Sequence, residues 1–555
     1  PGPITLAHRW SHHAGGRQTT LRSTRAGLRD ETSTMSRVQW LGRTVGREAR
    51  VGRFLKPARV GAAVGLMCVA LVARSRAAGT DPWIDEAISL GIARRPILEI
   101  PGALSRDGSP PLYYVVLHLW ASLGTWSHQW ADQLSTVGAL AAVPVARWSG
   151  NRLESRRAGW IMATLVAALP FLAVFSTETR MYTWLFTGAL VTTTLWIDLL
   201  SAPHSASRSP RRAIAAGVAL GALLLLHNWA WYLAFALAGA AVLAVARTRQ
   251  PRGPLTAAVT PAAIAVWWLP TLLAQLGTTA APWSIAPSSA DIYSGLGSVF
   301  GQPLALTLLA GFATLGLLTP RDHDPRPHAR ATTVSPVMLL LVINALTLLA
   351  VVIANTLVAQ WATRYLALVT APTAMALAVG LSRLGTGGTL VSLVVATAWL
   401  NPLGAEKWPR WAKSNATVAI DTLAPALQKT RLVLVAQPEL GPLVHELLPD
   451  LQLVTPLGQP TEPQTVDWRN AVDRMRVDPD PYLDDALAQL APGDRILFVG
   501  LPGGEAVGGP RWGQLISASS TRWRAALDAR LIRVGEETTP LGAWAPVRAV
   551  LYEAP

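Results

Sequence analysis

The sequence predicts a mostly α-helical protein, a polytopic transmembrane helix bundle of about eleven spans followed by a small extracytoplasmic α/β domain. Three observations lead there. Hydrophobic residues make up 51% of the 555 residues and charged residues only 15%, with a mean hydropathy of +0.31, high for a soluble chain of this length. Apolar runs long enough to span a bilayer recur between residues 60 and 400. From residue 402 the pattern changes to short apolar segments alternating with stretches of helical spacing.

Residues 1–58 carry eleven basic residues, from Arg9 to Lys56, against three acids and show little apolar periodicity. They read as a basic, disordered cytoplasmic tail. Residues 59–401 form the expected transmembrane domain. Its first span lies between Arg59 and Arg74 and is short, so these arginines are expected to snorkel or the helix to tilt. An external loop, 81–110, follows. Within it, Ala87–Leu104 mixes apolar residues with Arg94, Arg95 and Glu99 and reads as an amphipathic helix on the membrane surface.

Further spans are expected at 111–126, 130–148, 158–175, 181–200, 213–228, 230–246, 255–273, 303–319, 333–356, 365–381 and 386–401. The loops holding Arg208, Arg211 and Arg212, then Arg247, Arg249 and Arg252, then Arg321, Arg326 and Arg330, and finally Arg383 are basic. The alternate segments 227–230, 274–302 and 357–364 hold only Arg364 among arginines and lysines. Basic loops inside put the N-terminus in the cytoplasm and 176–180, 274–302, 357–364 and everything after 401 outside the plasma membrane. That orientation needs an odd number of crossings, so either 111–126 or 130–148 does not cross fully.

The net charge of +15 does not point to nucleic acid, because the arginines gather in the tail and in short loops rather than on an aromatic-studded face. A single cysteine, Cys68, excludes disulfides and cysteine-held metals, and the ten histidines have no metal-site spacing. No cofactor is called for. Carboxylates with waters could hold a divalent metal, but nothing in the pattern demands one. In 402–555, the segments 431–436 and 495–499 read as strands, and 467–475 and 482–490 as helices, the makings of an α/β domain.

Three polar constellations fall on the external side. The first joins Asp85-Glu86 to Asp107-Gly-Ser-Pro-Pro-Leu-Tyr-Tyr114, the second is Ser176-Thr-Glu-Thr-Arg-Met-Tyr182, and the third is Gln360-Trp-Ala-Thr-Arg-Tyr-Leu366. Charged groups at membrane borders usually face a partner or a cavity. Glu178 and Arg180 are close enough in sequence for a local ion pair. Arg364 has no acid within ten residues, so it needs a distant partner or an anionic ligand. Trp83, Trp126, Trp361 and Tyr365 suit an aromatic belt.

The order W-x-D-E-A after the first span, D-x-x-P-P-L-Y-Y, S-x-E-x-R-M-Y and a late R-Y-L resembles the GT-C glycosyltransferases. Within them it is similar to the branch of protein O-mannosyltransferases and aminoarabinose transferase (ArnT-like, glycosyltransferase family 39). The resemblance spans about residues 60–400. It departs at Ser109, where many relatives have His or Lys, and near Asp132, where an arginine is usual. It implies transfer, with inversion, of a sugar from a polyprenyl-phosphate donor to an envelope glycan, glycolipid or protein outside the cytoplasmic membrane. It also puts the general base at Asp85, with Glu86 as understudy or helix-positioning group. A leaving phosphate needs fixed cations, and Arg180 and Arg364 are the candidates. Asp107, Tyr113, Glu178, Tyr182 and Tyr365 complete the expected donor- and acceptor-binding set. His118 and His227 are expected as bundle histidines, and Asp291 and Tyr293 as part of a lid.

Two other classes stay open on the sequence alone. A transporter or lipid flippase would favour paired halves and broken helices at matching positions, which this sequence lacks. A non-catalytic envelope assembly protein would use 402–555 to bind a partner or polymer.

Overall fold

The computed structural model describes residues 60–74, 81–202, 209–279, 284, 286–319, 334–400, 413–456, 460–476, 478–502, 511–537 and 546–555. The expected tail, 1–58, lies outside them. Residues 66–555 form one compact unit.

Among the described residues, five helices are long and apolar enough to cross a membrane: Tyr182–Leu200, Ala230–Thr248, Arg252–Thr278, Pro336–Leu357 and Thr363–Arg383. A sixth crossing is available if Ser289–Val299 and Pro303–Leu318, bent by 79° at their break, count as one. The protein is therefore a multi-pass, mostly helical membrane protein. Several other expected spans fall on shorter or broken helices. The run 158–175 is split into Arg156–Ala168 and Pro170–Phe175, because a proline cannot continue the backbone ladder. Helix α4, Leu112–Ser122, has 11 residues, or about 16 Å at 1.5 Å per residue, roughly half the hydrocarbon thickness. Helix α5, His128–Leu153, has 26 residues. This length difference makes the 111–126 segment the one that falls short.

Two of the long helices are central. In their most apolar stretches, Thr363–Arg383 is 89% buried and Tyr182–Leu200 72%, against 28–33% for the other three. The outer helices turn Phe235, Leu273, Leu276 and Ile353 outward, as a lipid-facing surface requires. The first described helix, α1, is Val60–Arg74. Arg74 does not snorkel. Its guanidinium is buried and donates to the carbonyls of Ala70 at 2.7 Å and Ala139 at 3.2 Å.

Residues 430–553 contain a five-stranded sheet ordered β2-β1-β3-β5-β4. Strand β1 is Thr430–Val435, β2 Gln452–Val454, β3 Arg495–Gly500, β4 Ile532–Glu537 and β5 Arg548–Glu553. The first three run parallel, and β5 and β4 join antiparallel. Strands β1 and β3 are continuously apolar over Leu432–Val435 and Ile496–Val499 because both sheet faces are covered there. Val433, Val435, Leu497 and Leu551 pack beneath Ala416–Leu423 and Gly441–Leu447. Leu432, Leu434, Phe498 and Tyr552 face Leu483, Trp523 and Leu527 of the opposite helices.

The segment expected to lie on the membrane surface does not. It forms two helices, α2 (Ile84–Ala93) and α3 (Ile100–Asp107), and α2 is buried from Glu86 to Ala93. Ile84 and Ala87 join the core under the sheet, whereas Ile88, Leu90 and Ile92 join the bundle core. Apolar side chains on both faces of one helix leave it no membrane-facing side. Its arginines also find protein acids: Arg94 pairs with Glu446 at 3.0 Å and Arg95 with Glu462 at 2.8 Å, while Arg106 also reaches Glu462. Gly91 allows the closest approach, since a Cβ there would collide with the backbone carbonyl of Gln464. Gly91→Ala, favourable for an isolated helix, is expected to cost about 1–3 kcal/mol through this overpacking. Thermal unfolding of the purified protein checks this, and a Tm at or above wild type would contradict the tight seat.

Candidate active site

The site begins at the first turn of α2. Acids suit a helix N-terminus because its amides are unpaired and its dipole is positive there. Glu86 reaches back in this way, its Oε2 accepting from the Trp83 amide at 3.2 Å. Adjacent residues on a helix point about 100° apart, so Asp85 and Glu86 meet different partners. Asp85 Oδ1 lies 2.9 Å from an Arg180 guanidinium nitrogen and Oδ2 lies 3.9 Å from one of Arg364. Glu86 Oε1 accepts from Lys413 Nζ at 2.5 Å and from the Thr179 amide at 3.2 Å.

The loop carrying Arg180 is fastened to α5. Thr136 donates to Ser176 O at 2.8 Å, Ser135 to Arg180 O at 2.9 Å, and Thr179 to Asp132 at 2.6 Å. Asp132 thereby orients the loop. Arg180 also donates to the Tyr114 hydroxyl at 3.0 Å. Arg364 comes from the turn Thr363–Leu366 at the head of a central helix.

The expected local pair between Glu178 and Arg180 is absent. Arg180 is engaged by Asp85, and both Glu178 carboxylate oxygens are buried without a hydrogen-bond partner among the described residues. Asp107 ends α3, and Gly108 follows in the left-handed region at φ 100°, which glycine adopts without strain. Tyr113 is buried edge-on to Tyr114 at 5.6 Å. Tyr182 and Tyr365 lie 6.2 Å apart, and His227 and Trp229 lie 5.0 and 5.2 Å from Tyr365. Trp83 and Trp361 are buried and so belong to the protein interior rather than to a belt. All nine expected site residues thus share one neighbourhood. His118 does not join it, its Nδ1 lying 2.7 Å from Ala93 O. Asp291 is partly exposed and accepts from Ser288 at the start of its own helix, and Tyr293 is exposed.

Two site residues from beyond residue 400 escaped the sequence reading. Lys413 is one of four lysines in a chain otherwise rich in arginine, a scarcity that could have flagged it. Glu439, in the turn Pro438–Leu440 after β1, is 2% exposed. One of its oxygens accepts from Trp512 Nε1 at 2.9 Å and the other has no partner. Nothing in its sequence surroundings distinguishes it.

Burial would raise the Asp85 carboxyl, but Arg180 and then Arg364 outweigh that and hold it below the ordinary carboxylate range. Burial lifts Glu86 to about 7, with repulsion from Asp132 added and Lys413 opposing. It lifts Glu439 to about 7 as well, and Asp85 adds to that shift. Glu178 rises to about 8, through burial first, then repulsion from Glu86 and Asp85 against the pull of Lys413. Among the described residues no three His, Cys, Asp or Glu side chains are grouped to hold a metal ion.

The fold is that of ArnT from Cupriavidus metallidurans. The apo structure of that protein matches with a TM-score of 0.56 at 16% identity, over 89% of this chain and 98% of that one. The same protein bound to undecaprenyl phosphate matches with a TM-score of 0.55 at 14% identity, over 89% and 96%. No protein-family model matches the sequence, and no curated protein does.

A raised acid makes a signed prediction. Glu178 has a folded value of about 8 above its ordinary 4.5, so the folded state holds an extra proton between those values. Its contribution therefore turns unfavourable as pH rises from 4.5 towards 8. Glu178→Gln, neutral throughout, is expected to flatten the fall of Tm across that window and to match or exceed wild type at its upper end. An unchanged slope of Tm against pH would contradict the assignment.

Proposed function

We propose that this chain is an integral-membrane glycosyltransferase that moves a sugar from a polyprenyl-phosphate donor to a cell-envelope acceptor, a glycan, glycolipid or protein, with inversion. The observation that carries the reading is one largely buried carboxylate, Asp85, facing buried Arg180 and half-buried Arg364 from separate elements. Arg364 stands 3.9 Å from Asp85, and among the described residues its Nε has no hydrogen-bond partner, so it remains available to a phosphate. The ArnT structure bound to undecaprenyl phosphate supports a lipid-phosphate ligand for this fold.

The chemistry is a single displacement. The acceptor hydroxyl oxygen bonds to the anomeric carbon while the bond from that carbon to the phosphate oxygen breaks. Asp85 takes the hydroxyl proton, and the electron pair leaves with polyprenyl phosphate. Arg180 and Arg364 balance the charge that gathers on the phosphate. The same arginines depress Asp85 in the empty site, which makes it a weak base. A phosphate that draws their charge toward itself returns basicity to Asp85, so donor binding arms the base. Asp107, Tyr113, Tyr182 and Tyr365 surround the donor and acceptor in this reading, and the protonated Glu178 can donate a hydrogen bond.

The proposed orientation has about eleven spans, a cytoplasmic N-terminus, and residues 402–555 outside the plasma membrane, where the acceptor is found. Gln489, exposed beside the sheet, tests it. In a Cys68→Ser background, Gln489→Cys is expected to react with a membrane-impermeant maleimide in intact cells. Protection until lysis would reverse the orientation.

The decisive assay offers the purified protein a panel of polyprenyl-phosphate sugars and measures transfer and polyprenyl-phosphate release. Asp85→Asn is expected to lower kcat by about 10²–10⁴, the usual worth of a general base. Full transfer by that variant would remove Asp85 from the role.

A further inference from the structure

Lys413 enters the site from outside the bundle. It lies beyond the last bundle helix, Thr386–Leu400, and just ahead of Ala416–Leu423, yet its side chain is only 7% exposed. Its root is fixed to the sheet. The Asn415 amide donates to Val547 O at 2.9 Å and accepts from Val547 N at 2.7 Å, one residue before β5. Ser414 Oγ accepts from the Ala416 amide at 3.0 Å, starting the next helix. The ammonium is therefore delivered from a stiff base.

At its tip, Nζ donates to Glu86 Oε1 and to Thr177 O, each at 2.5 Å. Glu86 is the neighbour of Asp85 on α2. Thr177 belongs to the loop that presents Arg180, and Thr179 of that loop donates its amide to the same Glu86 oxygen. One ammonium thus joins three bodies: the turn carrying the carboxylate, the loop carrying its guanidinium partner, and the sheet domain. A lysine suits this junction because its compact ammonium has three donors that need not be coplanar.

We propose that Lys413 is a positioning residue for the Asp85–Arg180 pair, so that the α/β domain completes the catalytic centre through it. This rests on the glycosyltransferase reading for its consequence, though not for its geometry. Lys413 itself does not touch the reacting atoms. Without it, α2 and the Arg180 loop are joined here by the Thr179 amide contact to Glu86 and by the Asp85–Arg180 pair itself, and the buried Glu86 loses its cation. A carboxylate displaced by an ångström from the attacking hydroxyl costs rate rather than affinity.

The test uses the full chain with Lys413→Met, which keeps the length of the side chain and removes its charge and donors. In the transfer assay, kcat per folded molecule is expected to fall roughly tenfold to a hundredfold, with KM for the lipid-linked sugar changed less than about twofold. A second, activity-free readout is a double-variant cycle on Tm with Arg180→Gln. Side chains that share no network give additive losses; here the double variant is expected to lose less than the sum of the two single losses. If Lys413→Met does not fold, Asn415→Ala loosens the root while keeping the charge, and it enters both measurements in its place. Additive Tm losses, or an unchanged kcat in a transferring enzyme, overturn the proposal. Absence of transfer by the wild-type protein defeats the glycosyltransferase reading alone, and the Tm cycle then decides the positioning role by itself.

Discussion

The rest of the site depends on a largely buried carboxylate, Asp85, at the first turn of α2, held between two guanidinium groups. A lone carboxylate at this depth would take up a proton rather than bear the desolvation cost. Arg180 reverses that preference at 2.9 Å, with Arg364 behind it at 3.9 Å. Removing one partner of such a buried pair costs about 3–5 kcal/mol, because the other charge is left uncompensated. The loop of residues 176–181, the turn before Thr363–Arg383 and the seating of α2 are all constrained to keep these three groups together.

The neighbouring acids meet the opposite fate. Glu86 has a cation at 2.5 Å and still sits near neutrality, because Asp132 repels it and burial opposes its charge. Glu178 has no hydrogen-bond partner among the described residues and is the more strongly protonated. Carboxylates within one neighbourhood are therefore pushed apart in proton affinity, a condition that often accompanies acid–base work. The difference arises from which element supplies the cation: the bundle gives two to Asp85, and the sheet domain gives one to Glu86.

The sheet domain is thus more than an appendage. Ala87 packs in its core and Ile88 in the bundle core, so α2 is shared between the two. Glu446 and Glu462 take the arginines that follow α2 and α3, and Lys413 and Glu439 approach the carboxylate pair itself. Any shift of the domain would be felt at Asp85 within one helical turn.

Much of this was legible in the sequence. Run length and composition marked out a polytopic bundle because the bilayer requires long apolar helices, and the apolar segments 431–436 and 495–499 marked β1 and β3 because strands covered on both faces need no polar alternation. Arg180 and Arg364 stood out because charge at a membrane border demands a partner, and Asp85 through the family resemblance. The partners themselves were beyond its reach. Glu178 and Arg180, two residues apart, part company because Arg180 points across the bundle to α2. Arg94 and Arg95 looked like membrane-surface residues because their acids, Glu446 and Glu462, lie some 350 residues later. Lys413 could not be joined to Glu86 across 327 residues. Local periodicity reports which groups must be satisfied, and the chain alone determined those; which distant group satisfies them is set by how the bundle and the sheet pack on α2, and only the tertiary structure decided that.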